Sequence, residues 1–429
     1  MSTNILPYAQ LAQYPAKQMW VAWIDEDTSR ANTSQTLAYR ELGTSDTYIS
    51  TNSTRTEIPT TGGKYKHEVF IDNLRPDTEY EGVINGEKSV YFKTFPSRIW
   101  RTSLKVCVVS DIHMDTRTSG GMQNGSEMAE IRHKNPSALL IAGDIVTWGN
   151  SSTQNATETQ IVTDWLTFFS DHVQELNGES ADLIPLYIVP GNHEVGNNTW
   201  DGTGNVYPDD GFLQFFFSNI KSVDVTETNY GSVHLPRVLQ IIGLDTHSSH
   251  APTQGEWLPS VLRTDNYAHL SILHNGFFPG GSRVAEDIVN SGRFRKEISH
   301  QLARLKTKSF AFSGHIHTEK RTVPMRWVVE EPSSGSYFDL EGNGYLIESN
   351  QEEMGIIEFG EGYRTNRSIL TGWYLDFSNG DDDDKNPFFF VEISKDTIKI
   401  DEVRFREGGE RNNTFTSSRP MVGRQSLMV

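Results

Sequence analysis

Five short apolar runs in this chain end abruptly in side chains that can bind a cation, and this recurrence limits the folds open to it. Lys105-Val-Cys-Val-Val109 runs into Ser110-Asp111-Ile112-His113, and Ala138-Leu-Leu-Ile-Ala142 into Gly143-Asp144. Pro185-Leu-Tyr-Ile-Val-Pro190 runs into Gly191-Asn192-His193-Glu194. His269-Leu-Ser-Ile-Leu273 ends at His274-Asn275, and Ser309-Phe-Ala-Phe-Ser313 at Gly314-His315-Ile316-His317. Continuous apolar runs of this length read as strands buried on both faces, as in a helix-covered parallel sheet. In such sheets the C-terminal edge of the strands is where sites are built. Three of the ends carry a glycine directly before the polar residue, which lets the backbone turn sharply or approach a neighbour closely.

Asp, His and Asn donors suit borderline divalent metals such as manganese, iron, zinc or nickel. No thiolate takes part, because the single cysteine, Cys107, lies inside the first run. A carboxylate shared by two ions can hold them about 3.5–4 Å apart, a geometry suited to displacement at phosphorus.

Together these motifs resemble the calcineurin-like metallophosphoesterase signature, in the same order, across residues 103–330. The resemblance implies that Asp111, His113 and His317 hold one metal, that Asn192, His274 and His315 hold a second, and that Asp144 bridges them. It implies that His193 stands beside the substrate phosphate as proton donor or transition-state stabiliser. Glu194 then either orients a neighbouring histidine or caps the following turn.

A closer likeness is to purple acid phosphatases, through Gly255-Glu-Trp-Leu258 and Gly314-His-Ile-His-Thr-Glu-Lys-Arg321. The chain departs from them twice. It carries His113, and it has Thr147-Trp148 where they place a metal-binding tyrosine three residues after the bridging aspartate. The likeness therefore implies a histidine-bearing, phosphodiesterase-like centre without a tyrosinate.

The excess of 56 acidic over 38 basic side chains, a formal charge of −18 over 429 residues, argues against long nucleic acid or anionic membrane as partner. It does not oppose a small phosphate ester, since two bound cations would reverse the local sign. Neither a secretory signal nor a membrane-length apolar run is visible, so the expected location is cytoplasmic or virion-associated.

Residues 1–17, with Pro7 and Pro15, read as an irregular leader, and residues 18–97 as short strands with turn signals between them. Within them Leu74-x-Pro76-x-Thr78-x-Tyr80 resembles the corner of fibronectin type III domains, with Tyr80 bonding back to the backbone. The expected fold is thus α/β: a four-layer αββα metallophosphoesterase sandwich over 103–405, preceded by an all-β fibronectin type III-like domain. Residues 127–134, 160–174 and 285–306 read as helices. The segment 197–210 is a substrate-facing lid or a surface insertion, and 212–217 is core. His247 and His250 read as loop residues, and the acidic run 380–385 as a solvated hairpin tip. Residues 406–429 read as a polar tail or arm.

The function implied is hydrolysis of phosphate mono- or diesters by attack of a metal-bound hydroxide. The alternative is an assembly protein, such as a virion tail or surface component, with an ancillary phosphoesterase domain. Its β-module or C-terminal arm would then make homo-oligomer contacts.

Overall fold

The computed structural model describes residues 5–30, 33–99, 102–114, 126–147, 157–194, 211–218, 230–246, 251–278, 294–305, 307–315, 320–333, 337–339, 344–348, 355–360, 375–378, 387–406 and 409–418. Three sheets organise them. The first runs Gly409–Ser418, Thr397–Arg406, Pro387–Ile393, Leu104–Val109, Ala138–Ala142, Leu186–Val189, Ile5–Leu11, Met19–Asp25, Tyr65–Ile71 and Thr54–Glu57. The second, of five strands, is built from Asp182–Leu183, Lys88–Lys93, Glu79–Ile84, Thr36–Glu41 and Ile49–Asn52. The third carries Gly231–Leu235, Leu239–Leu244, Ala268–Leu273, Lys308–Ser313 and Ile356–Gly360 in that order, followed by further antiparallel strands.

All five apolar runs form strands, and they pair in parallel where they are neighbours: Leu104–Val109 with Ala138–Ala142, that with Leu186–Val189, and Ala268–Leu273 with Lys308–Ser313. Parallel pairing sends their ligand-bearing ends to the same edge. One core lies between the first and third sheets, where Val106, Val108, Leu140 and Val189 meet Ile241, Leu270, Ile272 and Phe312. A second packs the other face of the first sheet on helical residues Met128, Ile131, Trp165, Phe168 and Phe169. A third packs the outer face of the third sheet on Leu258, Phe294, Ile298 and Leu302.

The helix expected over 160–174 is present. It starts at Thr157, which forms a capping box with Gln160, is α-helical over Glu158–Thr167, and widens to π-helical over Phe168–Val173. Residues 127–134 are helical as Ser126–His133. Only the end of the expected 285–306 helix is described, helical from Phe294 to Ala303.

The leader expected over 1–17 is not irregular. Ile5–Leu11 is a central strand, antiparallel to Met19–Asp25 and parallel to Leu186–Val189, with Gln10 opposite Leu186. It feeds three cores: Tyr8 the helical one, Leu11 the inter-sheet one, and Ile5 and Ala9 the N-terminal one. Pro7 hid it, since proline argues against a central strand. Here the Pro7 carbonyl accepts from Gln174 Nε2 at 3.1 Å and Asn177 Nδ2 at 3.0 Å. Residues 409–418 are likewise not a tail. They pair along their whole length with Thr397–Arg406 as the outermost strand. Their sequence has a single apolar residue, Phe415, so no alternation marked them as a strand.

The N-terminal region closes its own core, with Val21, Trp23 and Val69 against Leu37, Tyr39, Ile84 and Phe92. Tyr80 Oη accepts from the Arg75 backbone N–H at 2.8 Å, the corner bond expected of it. Among the described residues no helix is long and apolar enough to cross a membrane. The segment 197–210, the acidic run 380–385, and Trp148, His247, His250 and His317 lie outside the described residues.

Candidate metal centre

Seven of the expected site residues are described: Asp111, His113, Asp144, Asn192, His193, His274 and His315. Each follows the C-terminal end of one of the five strands. The turns that carry them are tied together through the backbone. Asp111 N–H donates to Gly143 O at 3.0 Å, His113 N–H to Asp144 O at 2.9 Å, and Gly314 N–H to His274 O at 3.0 Å. The approach is close enough that a Cβ on Gly143 would lie 2.6 Å from Gly191 Cα and 2.8 Å from His274 Nδ1. Asp111, His113, Asp144 and His315 all have φ between +50° and +68°. Left-handed backbone at four non-glycine residues is costly, and such outliers gather where a site requires them.

The Asp144 carboxylate is the hub. Its Oδ2 lies 3.2 Å from His274 Nε2 and 3.7 Å from both His113 Nε2 and His193 Nε2. Its Oδ1 accepts the His193 backbone N–H at 2.9 Å. Asp111 lies 3.7 Å from His113 Nε2 and accepts the His315 N–H at 3.1 Å. Asn192 Oδ1 lies 3.0 Å from His274 Nε2 and 2.9 Å from His315 Nδ1. Two groupings have ligand atoms all within 4.8 Å of one another, His113–Asp144–His193 and Asp111–Asp144–His274, and Asp144 belongs to both.

The donor chemistry fits cations. His274 Nδ1 faces the Ala142 carbonyl at 2.8 Å, and a carbonyl only accepts, so this nitrogen carries the hydrogen. The other nitrogen of the neutral ring is then a lone pair, yet it faces the oxygens of Asp144 and Asn192, which are acceptors too. A proton or a metal ion between them relieves the conflict. Burial opposes charge on this ring, but the Asp144 carboxylate outweighs it and raises the His274 pKa to about 9. Burial likewise pushes Asp144 upward, and the rings of His274, His193 and His113 more than reverse this, holding its carboxyl well below the usual range. For His113 burial outweighs the Asp111 and Asp144 carboxylates, and its pKa is pushed down.

His193 is the most open imidazole of the three around Asp144, 29% exposed against 11% for His113 and 0% for His274. Its Nδ1 donates to the Thr147 carbonyl, so Nε2 is the nitrogen turned toward the Asp144 carboxylate. Thr147 thus has a role that its side chain did not announce. Its hydroxyl donates to His113 O at 2.7 Å and its own carbonyl orients His193, a backbone contact without any sequence signal.

Glu194 is fully enclosed and bonds to backbone, not to a histidine. Its oxygens accept from Gly191 N at 2.7 Å, Asp144 N at 2.8 Å, Ile145 N at 2.6 Å and Val146 N at 3.1 Å. Burial and the neighbouring Asp144 charge push its pKa up to about 7, against the pull of these donors. It clamps the Asp144 turn to the turn bearing Asn192 and His193 rather than orienting a histidine directly; the turn that follows it lies outside the described residues.

The profile of calcineurin-like phosphoesterases matches residues 104–319. No curated protein matches the chain in sequence. Among solved structures, a single mutant of Vps29 from Entamoeba histolytica aligns at 10% identity over 73% of this chain and 99% of its own, with a TM-score of 0.27. Vacuolar Protein Sorting 29 from Cryptosporidium parvum aligns at 10% identity over 74% and 99%, with a TM-score of 0.29.

Proposed function

The chain belongs to the calcineurin-like phosphoesterase family, and from that premise we propose that it hydrolyses phosphate mono- or diesters with two divalent cations. The observation that supports this reading is the Asp144 carboxylate, which belongs to both groups of donors, His113–Asp144–His193 and Asp111–Asp144–His274. The division of ligands between two ions follows the family resemblance. Asp111, His113 and His317 would hold one ion, Asn192, His274 and His315 the other, and Asp144 both. Manganese, iron, zinc and nickel all suit these donors. When bound, such ions polarise the phosphoryl oxygens and supply an activated water.

The side chains do the rest. His274 is locked by Ala142 so that Nε2 points at the shared carboxylate. His193 is locked by Thr147, so its Nε2 can pass a proton to the departing alcohol oxygen. Its exposure supports contact with substrate. A four-layer αββα arrangement of the phosphoesterase part agrees with the three cores. The N-terminal region would be a fibronectin type III-like sandwich that begins at Ile5, a reading supported by the Tyr80 corner bond.

The test is turnover of mono- and bis-aryl phosphates in the presence of each metal. Asp144→Asn is expected to lower turnover by at least about 10³-fold, because it weakens both sites at once. Activity that survives this change rejects the proposal. The ratio of mono- to diester turnover assigns the substrate class.

A further inference from the structure

Among the described residues of the family-matched stretch, no glutamate braces the half of the site built on the third sheet as Glu194 braces the first. A second buried glutamate stands behind it. Glu358 lies on Ile356–Gly360, a strand that bears none of the site residues and falls outside the matched stretch. It is 0% exposed and pairs opposite Ala311 of the Lys308–Ser313 strand. Its Oε1 accepts from Ser313 Oγ at 3.1 Å, two residues before His315. Its Oε2 accepts from the Phe278 backbone N–H at 3.1 Å, four residues after His274. Its own N–H donates to the Thr322 hydroxyl at 3.0 Å. Buried Arg295 grips the same segment from the neighbouring residue, donating to Phe277 O at 3.0 Å.

We propose that Glu358 is a positioning residue for the second cation site, holding the His274 and His315 segments at the separation that lets both rings face Asn192. The inference rests on the phosphoesterase reading above. Its physical basis is that an interior carboxylate is expensive unless its oxygens are satisfied. Among the groups that bond it, Ser313 Oγ and Phe278 N–H belong to the two chain segments flanking His315 and His274. An apolar residue of similar size would fill the space but leave Ser313 and Phe278 N–H without this acceptor. Gly314 N–H to His274 O would still tie the two turns directly. Groups that orient metal ligands from behind typically change metal affinity about 10–100-fold when lost.

Manganese titration of the full chain by calorimetry tests this. Wild type is expected to bind two ions. Glu358→Leu is expected to weaken one of them about 10–100-fold and leave the other unchanged, with turnover recovering as manganese is raised. Glu358→Gln can still accept from Phe278 N–H and donate to Ser313 Oγ, so it should return within about 3-fold of wild type. Should Glu358→Leu not fold, Ser313→Ala carries the test, with an expected weakening of about 3-fold or more in the same ion alone. A folded Glu358→Leu or Ser313→Ala protein that binds both ions as wild type does overturns the assignment, as does equal weakening of both ions. Wild type that binds no manganese overturns the phosphoesterase reading instead, which keeps the two failures apart.

Discussion

The two halves of the site are built differently. Asp111, His113, Asp144, Asn192 and His193 come from three strands of the first sheet, and His274 and His315 from two strands of the third. The first half is knitted backbone to backbone, with Asp111 N–H to Gly143 O, His113 N–H to Asp144 O at 2.9 Å and Met114 N–H to Ile145 O at 2.7 Å. Glu194 adds four more backbone bonds. In the second half the turn-to-turn backbone link among the described residues runs from Gly314 to His274, backed by side chains from elsewhere in the sheet. The first half is therefore pre-organised by the course of the chain itself. The second depends on individual side chains, and single substitutions should tune it without unfolding the protein.

The sharpest contrast separates chemistry from cation binding within the first half. His193→Ala should lower kcat about 10²–10⁴-fold while both ions still bind, since its proposed task is proton transfer. Steady-state kinetics beside metal analysis checks this, and loss of an ion would make His193 a ligand. Next in size, Glu194→Leu strands four backbone donors in the interior. It should cost about 3 kcal/mol or more in urea denaturation, well beyond the cost of Glu358→Leu. Equal costs would erase the distinction drawn between the halves.

A smaller effect is expected beneath the second half. His269 is buried on the strand that leads to His274, with Nε2 on Arg263 O at 2.9 Å and Nδ1 on Thr307 Oγ1 at 2.9 Å. Burial lowers its pKa to about 4. The unfolded chain therefore takes up a proton from about pH 6.5 downward, before the folded chain does. Stability is full above that pH and falls as pH drops toward 4, by about 2 kcal/mol between pH 6.5 and 4.5. His269→Gln should flatten that slope in denaturation midpoints measured across the range, and an unchanged slope would reject it. Smallest is Tyr80→Phe, remote from both halves, which should cost about 1 kcal/mol for the lost Arg75 bond and leave turnover intact.

The asymmetry also governs what could be read from the chain. Ligands at strand ends were legible because each element there is short and apolar and stops abruptly at a polar residue, three of them at a glycine, so Asp111, Asp144, Asn192 and His274 declared themselves locally. Ile5–Leu11 was not, because Pro7 contradicts a central strand and only the tertiary pairing with Leu186–Val189 overrides it. Gly409–Ser418 was not, because an outermost polar strand needs no apolar alternation. Nothing local marks Thr147 or Glu358 either. One acts through its carbonyl, and the other acts on segments distant in sequence.

The shared carboxylate is tested most directly by anomalous scattering from crystals grown with manganese. Two peaks about 3.5–4 Å apart, with Asp144 between them, are expected. One would lie toward Asp111 and His113, the other toward Asn192, His274 and His315. A single peak, or peaks away from Asp144, would contradict the account.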